Sequence, residues 1–222
     1  APLMRQLDEI DRLGFLYYFQ FTLTGCDQQL EPHILDTVHQ VALFRQLAER
    51  IGPERVLWRF DPIVCTRTLP PEHYIDRFEQ LARQLRGFTL RCTISFLSLY
   101  AKCRRNLHGI PLLDLADQEK RSLAQQLAAI AQRYQIRLYA CCDSVLTEQC
   151  GIESARCIDP ALLAEILGTP VHSHKDRGQR PGCGCAASID IGAYNTCPHG
   201  CRYCYANTSP PAGMCNQAAH DP

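Results

Sequence analysis

The sequence has no surplus of either charge: 23 basic residues balance 23 acidic ones. The overall basic footprint that phosphate-driven nucleic-acid binding leaves is therefore missing, although a local basic patch is compatible with that balance. No apolar run approaches the roughly 18 residues needed to span a bilayer, which excludes a helical membrane protein. Neither GxGxxG nor a phosphate-loop motif follows any β-rich run, so a dinucleotide-binding or nucleotide-hydrolysing enzyme loses its main sequence support. Hydrophobic residues at 46% and charged residues at 21% are ordinary for a globular protein and exclude a disordered, fibrous or coiled-coil chain. The 222 residues suffice for one α/β domain with a real core, alone or with a small appendage.

What the chain has in quantity is cysteine. Of 14 cysteines, four fall in residues 1–140 and ten in residues 141–222. A secreted disulfide scaffold is shorter and denser, no signal peptide is visible, and the first 140 or so residues read as a cored domain that needs no staples. Metal or redox use of the later cysteines is the favoured reading. Cys26, Cys65, Cys92 and Cys103 read as small buried hydrophobes.

Apolar spacing marks helices alternating with short β-rich runs. Leu3, Leu7, Ile10 and Leu13 line a first helix stopped by Gly14, and Phe15 to Thr24 reads as a strand. Ile34, Val38, Val41, Ala42 and Ile51 line a second helix closed by Gly52-Pro53, followed by a strand over Val56 to Val64. Tyr74, Phe78, Leu81, Ala82 and Leu85 line a third, stopped by Gly87 and followed by Thr89 to Leu97. Leu123, Leu127, Ile130 and Tyr134 line a fourth, followed by Ile136 to Cys142. Strands separated by long amphipathic helices predict parallel crossovers, hence an α/β fold built as a partial or permuted (β/α) barrel. The expected division is a barrel-like domain over 1–168 and a cysteine-rich segment over 169–222, packed on the barrel rim.

Ligands of parallel α/β folds gather at the carboxyl ends of the strands. That rim is expected to hold Thr22 and Thr24, Arg59 and Asp61, Ser95 and Ser98, and Cys141, Cys142 and Asp143. Arg59 and Asp61, two apart, share one face of their strand, either lining a wet cavity or forming a structural ion pair.

In the tail, Cys197, Cys201 and Cys204 form CxxxCxxC directly after Ser188 to Ile191, which reads as one more short strand. Three thiolates at this spacing can point inward from one tight loop, and three leave one iron of a four-iron, four-sulfur cluster without a protein ligand. Soft thiolates suit zinc equally, so residue type alone does not choose the metal. Cys183 and Cys185, with Cys157 and one of Cys141 or Cys142, Cys142 being the one assigned, can supply four thiolates to an auxiliary iron–sulfur cluster or to zinc. His172, His174 and His199 read as solvated, while Lys175, Arg177 and Arg180 either steady an anionic cluster or form a soluble linker.

The string CPHGCRYC resembles the CxxxCxΦC signature of radical S-adenosylmethionine enzymes, and CPHGCRYCYAN is similar to the loop of spore-photoproduct-lyase-type proteins. Over essentially the whole chain, FQFTLT, IGPERVLWRFDPI, CTISFLSLY, the Cys157 to Asp159 CID, and CGCAASIDIGAYNTCPHGCRYCYAN resemble a bacterial family known only as a domain of unknown function, family 1848. That family carries a further N-terminal segment, so the sequence is expected to be truncated. The resemblance implies that Cys197, Cys201 and Cys204 bind a four-iron cluster and that S-adenosylmethionine chelates its open iron. Tyr203 is then expected near the adenine, with Arg59 and Asp61 on the same rim as cofactor-binding residues. The implied chemistry is a 5′-deoxyadenosyl radical abstracting hydrogen from an unknown substrate, with nucleic acid a candidate and flavodoxin or ferredoxin the reductant, in a reducing cytoplasm. The loop's place at the far end of the chain departs from the usual one after the first barrel strand, as a circular permutation would. Two readings from other classes stand beside it: a structural or regulatory protein with zinc on Cys183, Cys185, Cys201 and Cys204, and an electron-transfer module with every iron protein-ligated.

Overall fold

The computed structural model describes residues 3–180 and 182–219. Five strands, β1 (Phe19–Thr22), β2 (Val56–Ile63), β3 (Arg91–Phe96), β4 (Arg137–Ala140) and β5 (Glu153–Ser154), pair in parallel in chain order. The helices are α1 (Leu7–Arg12), α2 (Thr37–Ile51), α3 (Pro71–Leu85), α4 (Ala101–Asn106), α5 (Asp117–Arg133), α6 (Pro160–Leu167) and α7 (Pro210–Ala218).

Local chemistry sets the long helices. Asp36 caps α2 by accepting the His39 N–H at 3.0 Å, and Gly52, at φ 95, ends the helix where a side chain would be strained. The Tyr74, Phe78, Leu81, Ala82 and Leu85 stripe of α3 is entirely buried, as its spacing predicts. Strand register then sorts the sheet into two unlike faces. Phe21, Trp58, Cys92 and Leu138 are consecutive register partners across β1 to β4, and one step on Phe60, Ile94 and Ala140 follow. This apolar face meets the helices: Phe21 lies 5.1 Å from Phe44 of α2, and Trp58 stacks at 4.7 Å on Phe78 of α3. Each large side chain buried here contributes roughly 1.5–3 kcal/mol. The opposite face carries Thr22, Arg59, Thr93 and Tyr139 in one register row and is polar.

Three expectations are corrected. The α/β class with parallel strands holds, but among the described residues the sheet is open and the permuted barrel does not close; five strands fall short of the eight or so that wrap a filled barrel. Ser188 to Ile191 is not a strand but irregular chain, with Ile189 90% and Ile191 97% exposed. Its alternation has no apolar surface to be buried against, and β-patterning without cover does not make a strand. The first strand is shorter than Phe15 to Thr24, because Phe15 and Leu16 face solvent. Strand β5, two exposed residues long, offers no hydrophobic run from which to foresee it.

Candidate functional site

The polar face of the sheet is organised around Arg59. One guanidinium nitrogen donates to Gln20 Oε1 at 2.7 Å and to Cys157 Sγ at 3.0 Å, and the other pairs with Asp61. Ser95 Oγ donates to the second oxygen of Asp61, so that carboxylate is held on both sides. Only 21% of the Arg59 side chain and 10% of the Asp61 side chain reach solvent. Asp61 and the Cys157 sulfur push the Arg59 guanidinium up against the opposing effect of burial, so it stays charged. The two residues expected to bind a cofactor thus bind each other and a cysteine.

Residues after β5 lie across this face. The Ala155 N–H donates to Ala140 O, the Cys157 carbonyl accepts Tyr18 Oη and Gln20 Nε2, and Asp159 pairs with Arg91 at 3.3 Å. The tail joins through Ala186 N–H to Ile158 O at 3.0 Å and through the Cys157 N–H, which donates to Cys185 Sγ at 3.1 Å. Five thiols consequently lie side by side, Cys157 next to Cys141, Cys141 next to Cys142, Cys142 next to Cys183 and Cys183 next to Cys185, and the Cys157 N–H to Cys185 Sγ closes them into a ring. The Cys141 S–H donated to Cys157 is the main reason that the Cys157 thiol is held down to about 5 despite its burial, and Arg59 is the next. Cys141, the donor, is pushed up correspondingly. The structure brings together all four cysteines expected at the auxiliary site and adds Cys141.

Cys197, Cys201 and Cys204 lie in a separate group at the carboxyl ends of the strands. Gly200, at φ 67, makes the turn between the first two. The loop is seated on the chain just beyond β1 by Arg202 N–H to Leu30 O at 2.9 Å, and its guanidinium caps Asn106 O and His108 O after α4. Tyr203 Oη donates to Glu31, which also accepts Thr24 Oγ1 at 2.7 Å, while Cys103 Sγ donates to the Tyr203 carbonyl at 3.0 Å. Asn207 Nδ2 holds the Cys197 carbonyl at 2.6 Å, and α7 packs so closely that a Cβ on Gly213 would lie 2.4 Å from that oxygen.

Burial pushes the Cys201 thiol up to about 12, assisted by Glu31 and by the other two sulfurs of the loop. Glu31 is itself raised by burial, against the two hydroxyls that bond it. The arrangement therefore lacks positive charge where three thiolates would gather, and a metal cation reverses that penalty. As the side chains stand, no group of three or more His, Cys, Asp or Glu among the described residues is arranged to hold a metal ion.

Tyr203, expected beside an adenine, is turned inward onto Glu31 and packs on the core. The four-cysteine zinc set is divided, Cys183 and Cys185 lying with the ring and Cys201 and Cys204 with Glu31 and Tyr203. His172 and His174 are exposed, and His174 lines a depression of 560 Å³ with Lys175, Asp176, Arg177 and Gln179. Sequence reasoning missed Glu31, Asn207, Gly213 and Tyr18. Neither the bond from Tyr203 to Glu31 nor that from Tyr18 to Cys157 is marked locally, since they span 172 and 139 residues, whereas Asn207 and Gly213 were within reach as neighbours of the cysteine loop.

A family model described as "Domain of unknown function (DUF1848)" matches residues 1–206. No curated protein and no solved structure matches the chain. No helix among the described residues is long and apolar enough to cross a membrane.

Proposed function

The chain belongs to that DUF1848 family, and from its thiol geometry we propose an iron–sulfur enzyme of the radical S-adenosylmethionine type acting on an unidentified substrate. The observation that carries this reading is the seating of Cys197, Cys201 and Cys204 in one loop at the carboxyl ends of parallel strands. Their backbone is pinned by Arg202, Tyr203, Asn207 and the close approach of Gly213.

The residues fit such a group in two respects. Three soft thiols within eight positions are a donor set for an iron–sulfur cluster with one open iron. Asn207 Oδ1, beside the Cys197 carbonyl that its own amide holds, is buried and without a partner among the described residues. It supplies an acceptor for an ammonium or amide donor of a bound ligand. Cys197, Cys201 and Cys204 would hold the cluster, which when bound supplies one electron to the sulfonium of S-adenosylmethionine and so yields the 5′-deoxyadenosyl radical that abstracts hydrogen. The chain's own task is to position and to exclude water. Glu31 and Tyr203 fix the loop against the core, and the exposed Cys197 side is where a one-electron donor such as flavodoxin or ferredoxin has access.

The test is electron paramagnetic resonance of anaerobically reconstituted, dithionite-reduced protein with and without S-adenosylmethionine, beside Cys201→Ala. A four-iron signal that changes with S-adenosylmethionine and vanishes in the variant is the expected result. A signal indifferent to S-adenosylmethionine leaves an electron-transfer module, and a colourless protein after reconstitution ends the iron–sulfur reading.

A further inference from the structure

Away from the Cys197 loop, the ring of thiols on the polar sheet face is the densest set of metal-binding side chains. Its members come from three stretches of chain, after β4, after β5 and from the tail, and Cys141, Cys183 and Cys185 are buried. Four of the five sulfurs also receive an N–H. Cys157 takes one from Arg59 at 3.0 Å, Cys185 one from the Cys157 backbone at 3.1 Å, Cys183 one from the Cys185 backbone at 3.5 Å, and Cys141 one from Arg180 at 3.8 Å. A thiol sulfur is a poor acceptor and a thiolate a good one, so sulfurs that are each supplied with an N–H are prepared to be held as anions once a cation removes the penalty of burial. Such N–H groups are the outer shell that orients and charges metal-bound ligands.

Charge leads to the same place. Four thiolates in a half-buried site cannot stand unpaired. Arg180, and Arg59 as far as its pairing with Asp61 leaves it free, offset part of that charge, and a divalent cation offsets two of the four.

We propose that Cys141, Cys157, Cys183 and Cys185 form a second centre that holds a single tetrahedral divalent ion of the zinc type. Zinc–sulfur bonds of about 2.3 Å place the four sulfurs about 3.8 Å from one another, which is the separation of thiols in contact. A four-iron cluster instead inserts its own iron and sulfide between the thiolates and drives them well apart. The Cys157 N–H on Cys185 Sγ and the Cys185 N–H on Cys183 Sγ keep these sulfurs close, so side-chain rotation gathers them with Cys141 round one ion, each thiol giving its proton to solvent as the metal binds. Cys142 touches Cys141 and Cys183, but no N–H reaches its sulfur among the described contacts, and it stands outside the four. The ion's work is to fasten the tail to the sheet. This centre does not depend on the iron–sulfur reading of the Cys197 loop.

The experiment measures metal content of the full chain, purified with zinc present, beside a variant with Cys197, Cys201 and Cys204 all changed to alanine. One zinc per chain is expected in both, falling at least fivefold in Cys183→Ala/Cys185→Ala and in Cys141→Ala, and unchanged in Cys142→Ala. Because ring variants can fail to fold, Co²⁺ is also titrated into the metal-free triple variant, whose ring is intact. Intense visible bands with strong sulfur-to-cobalt charge transfer, the signature of a tetrahedral tetrathiolate site, support the proposal. An octahedral cobalt spectrum, an iron–sulfur chromophore in the triple variant, or zinc that survives loss of Cys183 and Cys185 overturns it. Failure of the iron–sulfur reading shows separately, as a wild-type protein that stays colourless on reconstitution while its zinc is unmoved.

Discussion

The guanidinium of Arg59 lies 3.0 Å from the sulfur of Cys157, a contact between residues 98 positions apart that joins the middle of the sheet to the segment covering it. Arg59 is reached from β2 and Cys157 from the chain beyond β5, so the contact exists only when the sheet from its second strand to its last is in place.

The Cys141 S–H first, and then the Arg59 guanidinium, hold the Cys157 thiol below its ordinary value in metal-free, reduced protein. Its folded value of about 5 lies below the ordinary thiol value, so the thiolate's contribution to stability is full above roughly pH 8.5 and is lost as pH falls through about 5. Cys141, shifted upward, acts the other way and only at pH above the ordinary thiol range. Iodoacetamide labelling followed by peptide mass spectrometry is expected to give Cys157 a rate that is already at its plateau near pH 7. In Arg59→Gln the midpoint moves up by about one pH unit or more; an unmoved midpoint means that the guanidinium does not hold the thiolate.

Glu31 separates hydrogen bonding from charge. Both Thr24 and Tyr203 donate to one of its oxygens, an arrangement that a glutamine carbonyl can also accept. Glu31→Gln is therefore expected to keep the tail docked and to match the wild type in urea unfolding within about 1 kcal/mol, since it also removes a buried carboxylate. Glu31→Ala leaves two buried hydroxyls without their acceptor and is expected to cost about 1–3 kcal/mol and to speed proteolysis after Arg202. Equal losses in the two variants would place the effect in the charge instead.

Gly213 offers a test in which the usual sign reverses. Glycine to alanine inside a helix normally gains about 1 kcal/mol. Here the new Cβ would sit 2.4 Å from the Cys197 carbonyl and 2.7 Å from Asn207 Nδ2, so α7 must shift away from the cysteine loop. Gly213→Ala is expected to lower both the melting temperature and the iron bound on reconstitution, whereas Ala212→Gly lowers only the former. Iron loading equal to that of the wild type would show that α7 does not position the loop.

The apolar half of this architecture was legible in the sequence because it is periodic. The stripe of α3 and the alternation of Val56, Trp58 and Phe60 each repeat at the interval of their element, and burial follows. Spacing also put Cys197, Cys201 and Cys204 in one loop. What could not be read is whatever depends on chain segments meeting: Cys141 rather than Cys142 facing Arg59 follows from strand register, and the inward turn of Tyr203 follows from Glu31. The run Ser188 to Ile191 failed in the opposite sense, since a good local pattern found no surface to cover it.

The two-faced sheet also imposes an order of events on biosynthesis. Its helix-covered face is assembled once β4 has followed α5, but its other face remains bare until Cys183 and the residues after it emerge. Neither group of thiols can be assembled before that moment, so filling of the two proposed centres must wait for the tail to emerge. Until then Arg59, Asp61 and Cys141 are open to water and to oxidants.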